Sequence, residues 1–287
     1  MEQAAVAHSL CLPGHKPGQA CKRPHAVHSP GGVLREVSLF TASGTTIDMP
    51  TNIFSRAVRS LRLLINNPSI YGAIRTVRAQ KLTYLSHQAL GDLHDTVQRL
   101  EQQNLRGLII EAGVALGGSA IILAKSKTPA RPLYLYDVFA MIPPPSEDDG
   151  PDAHARYAEI AGGRSTGIRG DGYYGYEDGL LEKVKHNFAQ FDIDLEQAHI
   201  RIWPGLFEDT LQIDQPVALA HIDCDWYNSV MLCLERIVPH LIPGGVLVID
   251  DYQDWSGCRR AVDEYFAGRG DEFRLVMRAR LHIERRV

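Results

Sequence analysis

From Leu105 to Arg286 the chain alternates short apolar runs with amphipathic stretches, and this rhythm restricts the possible folds more than any other feature. A strand that is followed by a helix and then another strand pairs with its neighbour in parallel, because the helical crossover supplies the reversal of direction. LRGLIIEAG, RPLYLYDVF, HIRIWPG, VALAHIDCD and GGVLVIDDY read as such strands. GGSAIILAKSK, GLLEKVKHNFAQF, SVMLCLERIVPHL and SGCRRAVDEYFAG read as the helices between them. The second of these helices places Leu180, Leu181, Val184 and Phe188 on one face, and the last has Ser256 as its N-cap. FRLVMRARLHIERR closes as a β-hairpin. The expected fold class is α/β with a doubly wound, mostly parallel sheet.

Three regions follow from this pattern. Residues 1–50 read as a flexible N-terminal arm, since the first 32 hold four prolines, four glycines and four histidines without periodicity. Within it, Cys11, His15, Cys21, His25 and His28 fit no tetrahedral zinc spacing. Residues 51–104 read as an N-terminal helical segment. Phe54, Val58, Leu61 and Leu64 mark one helix to Ile65, and Leu90, Leu93, Val97 and Leu100 mark another over Gln88–Gln103. Residues 105–287 form the main domain. It is interrupted at 140–176 by Pro143-Pro144-Pro145 and a dense run of glycines and acids, which reads as a lid because it follows a strand's carboxyl end.

Composition removes several function classes. Thirty basic against 34 acidic residues leave a formal charge of −4, so no wide basic surface for nucleic acid or anionic lipid is expected. No apolar run approaches the ~18 residues of a membrane span. Five cysteines, an odd number, argue against a disulfide framework. Cys224, Cys233 and Cys258 fall in apolar segments and read as buried free thiols, consistent with a reducing cytoplasm. The opening residues lack the cationic flank and apolar stretch of a signal peptide.

Chemistry concentrates at the strand ends. Glu111-Ala112-Gly113-Val114-Ala115-Leu116-Gly117-Gly118-Ser119 lies between a strand and a helix, where glycines admit close backbone approach and the helix start offers free N–H groups. The second strand ends in Asp137, about 24 residues beyond Gly113, and an acid there can hold both hydroxyls of a ribose. Together they point to an adenosine-containing cofactor. The fourth strand ends in His221-Ile222-Asp223-Cys224-Asp225 and the fifth in Asp250-Asp251, which brings four carboxylates to one edge. One acid there would read as a helix cap. Four in two pairs read as an all-oxygen seat for Mg²⁺ or Mn²⁺, since crowded like charges call for a hard cation. Phe207, after Gly205 in the turn beyond the third strand, could stack on adenine or belong to the core. Four other classes share parts of this pattern: a metal-dependent glycosyltransferase, a phosphatase with an aspartyl nucleophile (which wants D-x-D on the first strand), a nicotinamide oxidoreductase and a non-catalytic nucleotide-binding protein.

EAGVALGGSAI, YDVF, GLFEDTL, HIDCDWYNSV and VIDDYQDWSGCRRAVDEY, in that order, resemble the S-adenosylmethionine-dependent sugar O-methyltransferases typified by macrocin, mycinamicin and novobiocin tailoring enzymes. The resemblance spans roughly residues 80–287. It implies a class I methyltransferase fold, with a Rossmann-like seven-stranded sheet, that binds S-adenosylmethionine and Mg²⁺ and forms homo-oligomers. It further implies that Asp223, Asp250 and Asp251 are metal ligands and that Asp225 is the general base. By the same resemblance Glu111, Gly113 and Ser119, in the turn that also holds Gly117, line the methionine part of the donor, Asp137 its ribose, and Gly205 to Phe207 its adenine. Cys224 stands where these enzymes usually carry glycine. The implied acceptor is a small hydroxylated molecule, a sugar of a secondary metabolite, with a catechol-type phenol as the alternative.

Overall fold

Helical crossovers do force parallel pairing. In the structure, a computed structural model that describes residues 37–40, 46–49 and 61–287, β3 (Leu108–Ala112), β4 (Leu133–Asp137), β5 (Ile200–Pro204), β6 (Val217–Ile222) and β7 (Leu241–Ile249) pair with one another in parallel. β8 (Phe273–Met277) and β9 (Leu281–Arg285) form the expected hairpin, and β9 lies antiparallel against β7. These seven strands run in the order β5-β4-β3-β6-β7-β9-β8. The chain reverses its winding between β3 and β6, where open sheets form their ligand crevice.

The sheet extends beyond the seven. β1 (Val37–Phe40) and β2 (Thr46–Met49) pair antiparallel, and β2 adds in parallel to β8. These two strands fall within the stretch read as an arm. The rest of residues 1–60, with the Cys11–His28 cluster and the first part of the Phe54–Ile65 helix, lies outside the described residues; 61–66 are helical.

Alternate residues of the buried strands divide into two cores. Ile109, Leu133, Leu135, Leu219, Val246 and Val248 pack under α1 (Pro68–Ala79), α2 (His87–Gln102), α3 (Gly118–Ser126) and α5 (Leu180–Gln190). Leu108, Ile110, Ala220, Ile222, Leu247 and Ile249 pack against α7 (Tyr227–Ile237) and α8 (Ser256–Phe266). Period-two side chains on a sheet covered on both faces give this division. α1 was not expected. It buries Ile70, Ala73, Ile74 and Val77, a helical repeat, and Pro68 is tolerated because it sits in the first turn, where an N–H has no partner to lose. Cys224, Cys233 and Cys258 are buried free thiols. Among the described residues no helix is long and apolar enough to cross a membrane.

Residues 140–176 hold more structure than a loop. They contain α4 (Pro151–Ala161) and two single turns of tighter helix, Ile168–Gly170 and Tyr174–Tyr176. Their acids serve helices elsewhere. The Asp149 carboxylate accepts the backbone N–H of Tyr227 at the start of α7 (2.7 Å) while also accepting Ser146 N–H (2.9 Å). The Asp152 carboxylate accepts both N–H (2.8 Å) and O–H (2.6 Å) of Ser256. The Ser256 assignment therefore needs correction: Trp255 occupies the N-cap position, Ser256 is the first helical residue, and a carboxylate from a distant segment supplies the acceptor. An anion at a helix N-terminus meets both the unpaired N–H groups and the positive end of the dipole. Asp149→Ala should lower stability by about 1–2 kcal/mol in urea unfolding, with faster amide exchange across residues 140–150; an unchanged exchange pattern would show that the segment is held by other contacts.

Candidate active site

The tips of β3 and β6 meet at Gly113. Its φ is +91°, and a Cβ there would lie 1.7 Å from the carbonyl oxygen of Asp223. The same approach lets Asp223 N–H donate to Ala112 O (2.8 Å), while on the other side Gly113 N–H donates to Tyr136 O of β4 (2.9 Å). No side chain fits, so this glycine answers to strand contact as well as to any ligand. Of the other turn residues, Gly117 is a left-handed cap to α3 whose Cβ would face Val184 and Phe188. Ser119 is buried inside α3, and Glu111 is fully buried beneath the sheet's edge. Neither they nor Gly117 line the cavity above the strand ends. Gly113, Asp137, Gly205 and Phe207 do.

That cavity measures about 540 Å³. At the ends of β4 and β5 Asp137 is gripped by backbone: one carboxylate oxygen accepts Val114 N–H (2.6 Å) and Ala115 N–H (3.0 Å), the other Phe139 N–H (2.6 Å). Burial nevertheless raises its pKa above the usual range, and these three donors offset only part of the rise. Gly205 N–H donates to Asp137 O (2.9 Å), which joins the β4 and β5 ends into one wall. Phe207, half-buried, opens the short helix α6 (Phe207–Thr210) and packs against the second core with one face toward the cavity.

The opposite side is acidic. Asp223, Asp225, Asp250 and Asp251 all line the cavity. Burial drives the carboxyls of Asp223 and Asp251 well above the ordinary range, and each neighbouring carboxylate adds to the effect. Asp225 is raised to about 6, by burial first, with the Trp255 side chain pulling it down and Asp250 pushing it up. Asp225 adopts a left-handed φ of +59°, and its N–H donates to an Asp251 carboxylate oxygen (3.1 Å). Asp tolerates that region better than most residues. Cys224 has no such φ, so a buried side chain is admitted where relatives are expected to carry glycine.

Two cations join these acids, and neither was expected from the sequence. His221 is wholly buried and stands opposite Glu111 in the β3–β6 register, with Nδ1 2.8 Å from Glu111 Oε1 and Nε2 3.6 Å from Asp250 Oδ1. Burial alone would lower its pKa, but the Asp250 and Glu111 carboxylates outweigh it and hold the imidazole at about 10. Arg280, from the β8–β9 turn, donates from Nε to Asp250 Oδ1 (2.9 Å) and from Nη1 to Asp254 Oδ2 (3.0 Å). The register of two parallel strands was the available signal for His221; a turn arginine gives none.

Two sets of side-chain atoms lie close enough to share one ion: His221, Asp223 and Asp250, and Asp250, Asp251 and Asp254. Asp250 belongs to both. The expected trio of Asp223, Asp250 and Asp251 therefore spans the two sets and turns on Asp250. Only the second set is all-carboxylate, the donor type that suits a hard divalent cation. The 140–176 segment contributes Arg156, Tyr173 and Tyr174 to the cavity wall, and Tyr84 joins them from the loop between α1 and α2. The rings of Tyr173 and Tyr174 lie 4.7 Å apart. Gly113→Ala should cost more than about 3 kcal/mol, because overlap with backbone cannot be relieved by a rotamer change; a urea midpoint equal to wild type would mean that the two tips separate freely.

Residues 78–272 match the macrocin-O-methyltransferase (TylF) family. The chain is 31% identical over 189 residues to the 8-demethyl-8-(2,3-dimethoxy-alpha-L-rhamnosyl)-tetracenomycin-C 4'-O-methyltransferase of Streptomyces olivaceus, covering 64% of this chain and 67% of that one. It is 31% identical over 192 residues to demethyldecarbamoylnovobiocin O-methyltransferase of Streptomyces niveus, covering 64% and 68%. Among solved structures it resembles the O-methyltransferase NovP, with a TM-score of 0.59 and 27% identity over 72% of this chain and 83% of that one. The calicheamicin methyltransferase CalS11 shares the fold at a TM-score of 0.53 and 18% identity, over 91% of this chain and 99% of that one.

Proposed function

The chain belongs to the macrocin-O-methyltransferase family, and on that footing we propose that this O-methyltransferase moves the methyl group of S-adenosylmethionine onto a hydroxyl of a sugar in a secondary metabolite, with a divalent cation, Mg²⁺ or Mn²⁺, in its acidic corner. The observation that carries this reading is the division of one cavity into a side walled by Asp137, Gly205 and Phe207 and a side walled by Asp223, Asp225, Asp250 and Asp251. A nucleoside-bearing donor fits the first and a hydroxylated acceptor the second. The tetracenomycin relative is named for methylating a rhamnosyl group, which favours a sugar over a catechol-type phenol.

Bound S-adenosylmethionine brings a methyl carbon that is already electrophilic, so the protein's task is to prepare the oxygen. Asp223, Asp250 and Asp251 would hold the cation, which would lower the pKa of a nearby hydroxyl. Asp225 takes the proton. Its carboxylate is in the cavity, and its backbone is fixed through Asp251, so the acceptor oxygen is met by a base already in position. Asp137 would receive the ribose hydroxyls with the carboxylate positions that its three backbone donors leave free. Tyr173 and Tyr174, which line the cavity from the 140–176 segment, would exclude water from the bound acceptor.

Removal of divalent ions with EDTA should abolish transfer to the acceptor, and Mg²⁺ should restore it; full turnover by metal-stripped protein would sink the cation part of the proposal. Asp225→Asn should leave S-adenosylhomocysteine binding intact and slow transfer by about 10²–10⁴-fold, the usual contribution of a positioned base. Asp137→Ala should do the converse at the binding step. Calorimetry should register about 1–3 kcal/mol weaker S-adenosylhomocysteine binding for the lost hydrogen bonds to a charged group.

A further inference from the structure

Glu111 and His221 form a buried ion pair that touches no part of the cavity. An apolar pair of similar volume would stabilise such a position as well or better, since desolvating two charges consumes most of what their attraction returns. The pair also leaves work undone: Glu111 Oε2 and His221 Nε2 are buried without a hydrogen-bond partner. Each buried orphan of this kind calls for an explanation, an ion held nearby among them.

The His221 ring stands between Glu111 and the acidic corner, with Nδ1 2.8 Å from Glu111 Oε1 and Nε2 3.6 Å from Asp250 Oδ1. Arg280 Nε reaches the same Asp250 oxygen from the opposite side (2.9 Å) and is itself tied to Asp254 (3.0 Å). Glu111, His221, Asp250, Arg280 and Asp254 thus form one row of side chains, and a single oxygen of Asp250 faces both His221 and Arg280. Asp250 is also the acid shared by both candidate ion-holding sets.

We propose that Glu111, His221 and Arg280 are positioning residues that fix the Asp250 carboxylate for a divalent cation, and that Glu111 does not contact the methyl donor. This rests on the cation reading above. The partners that orient a metal-ligating group typically change metal affinity 10–100-fold when removed.

The test uses the full-length protein, with Mn²⁺ as probe, read by loss of the free-ion electron paramagnetic resonance signal, and with S-adenosylhomocysteine binding measured by calorimetry. Glu111→Gln should weaken Mn²⁺ binding about 10–100-fold and leave S-adenosylhomocysteine affinity unchanged. Arg280→Gln, at the partly exposed end of the row, should weaken Mn²⁺ binding in the same direction, and it carries the test if Glu111→Gln does not fold. A purely through-space charge effect moves the two variants oppositely, with Arg280→Gln binding Mn²⁺ more tightly, and that result would overturn the inference. So would a Glu111→Gln protein that loses S-adenosylhomocysteine while keeping Mn²⁺. Equal Mn²⁺ uptake by wild type and both variants overturns the inference alone, whereas no uptake by wild type overturns the cation reading with it.

Discussion

Four carboxylates packed at the ends of two adjacent parallel strands repel one another, and much of the surrounding architecture is arranged around that repulsion. Burial and neighbouring carboxylates push the carboxyls of Asp223 and Asp251 well above the ordinary range, and Asp225 is raised to about 6. A fold that only had to be stable would not gather them. The parallel sheet does so because β6 and β7 both end at the same edge, one residue before each acidic pair begins. His221 and Arg280 relieve part of the charge from below and from the side. What they leave unrelieved is the physical basis for expecting a divalent ion.

The same edge supplies the other half of the site. β3, β4 and β5 end beside the acids, and the backbone N–H groups around Asp137 organise a carboxylate that faces the cavity without a metal partner. Two acidic environments, one gripped by amides and one crowded by other acids, lie in one enclosure. That asymmetry distinguishes a two-substrate transferase from a simple metal-binding fold, and it agrees with the family to which the chain belongs.

Much of this was legible in the sequence, for a reason particular to parallel sheets. Strand runs such as VALAHI and GGVLVI declare their own boundaries, and whatever follows a strand's carboxyl end must lie at the crevice, so Asp137, Asp223, Asp225, Asp250 and Asp251 could be placed without knowing any contact. Side-chain direction below the crevice could not. Glu111 reads as part of a glycine turn; only the β3–β6 register shows that it faces His221 instead of the cavity. Helix α1 was hidden by Pro68 and Gly72, and α4 by Pro151 among glycines and acids, although proline at a helix start is favourable. Ser256 had the chemistry of a cap, but Asp152, 104 residues away in sequence, holds its N–H. Arg280 lies in a turn, where no periodicity aims a side chain.

Asp149 and Asp152 bracket the entrance to α4 and fasten it to the first residues of α7 and α8. An outward swing of this hinge would strip two helix starts of their acceptors at the same moment. Tyr227 and Ser256 follow the two acidic pairs by only a few residues, so one short segment underpins both of the turns from which those acids project.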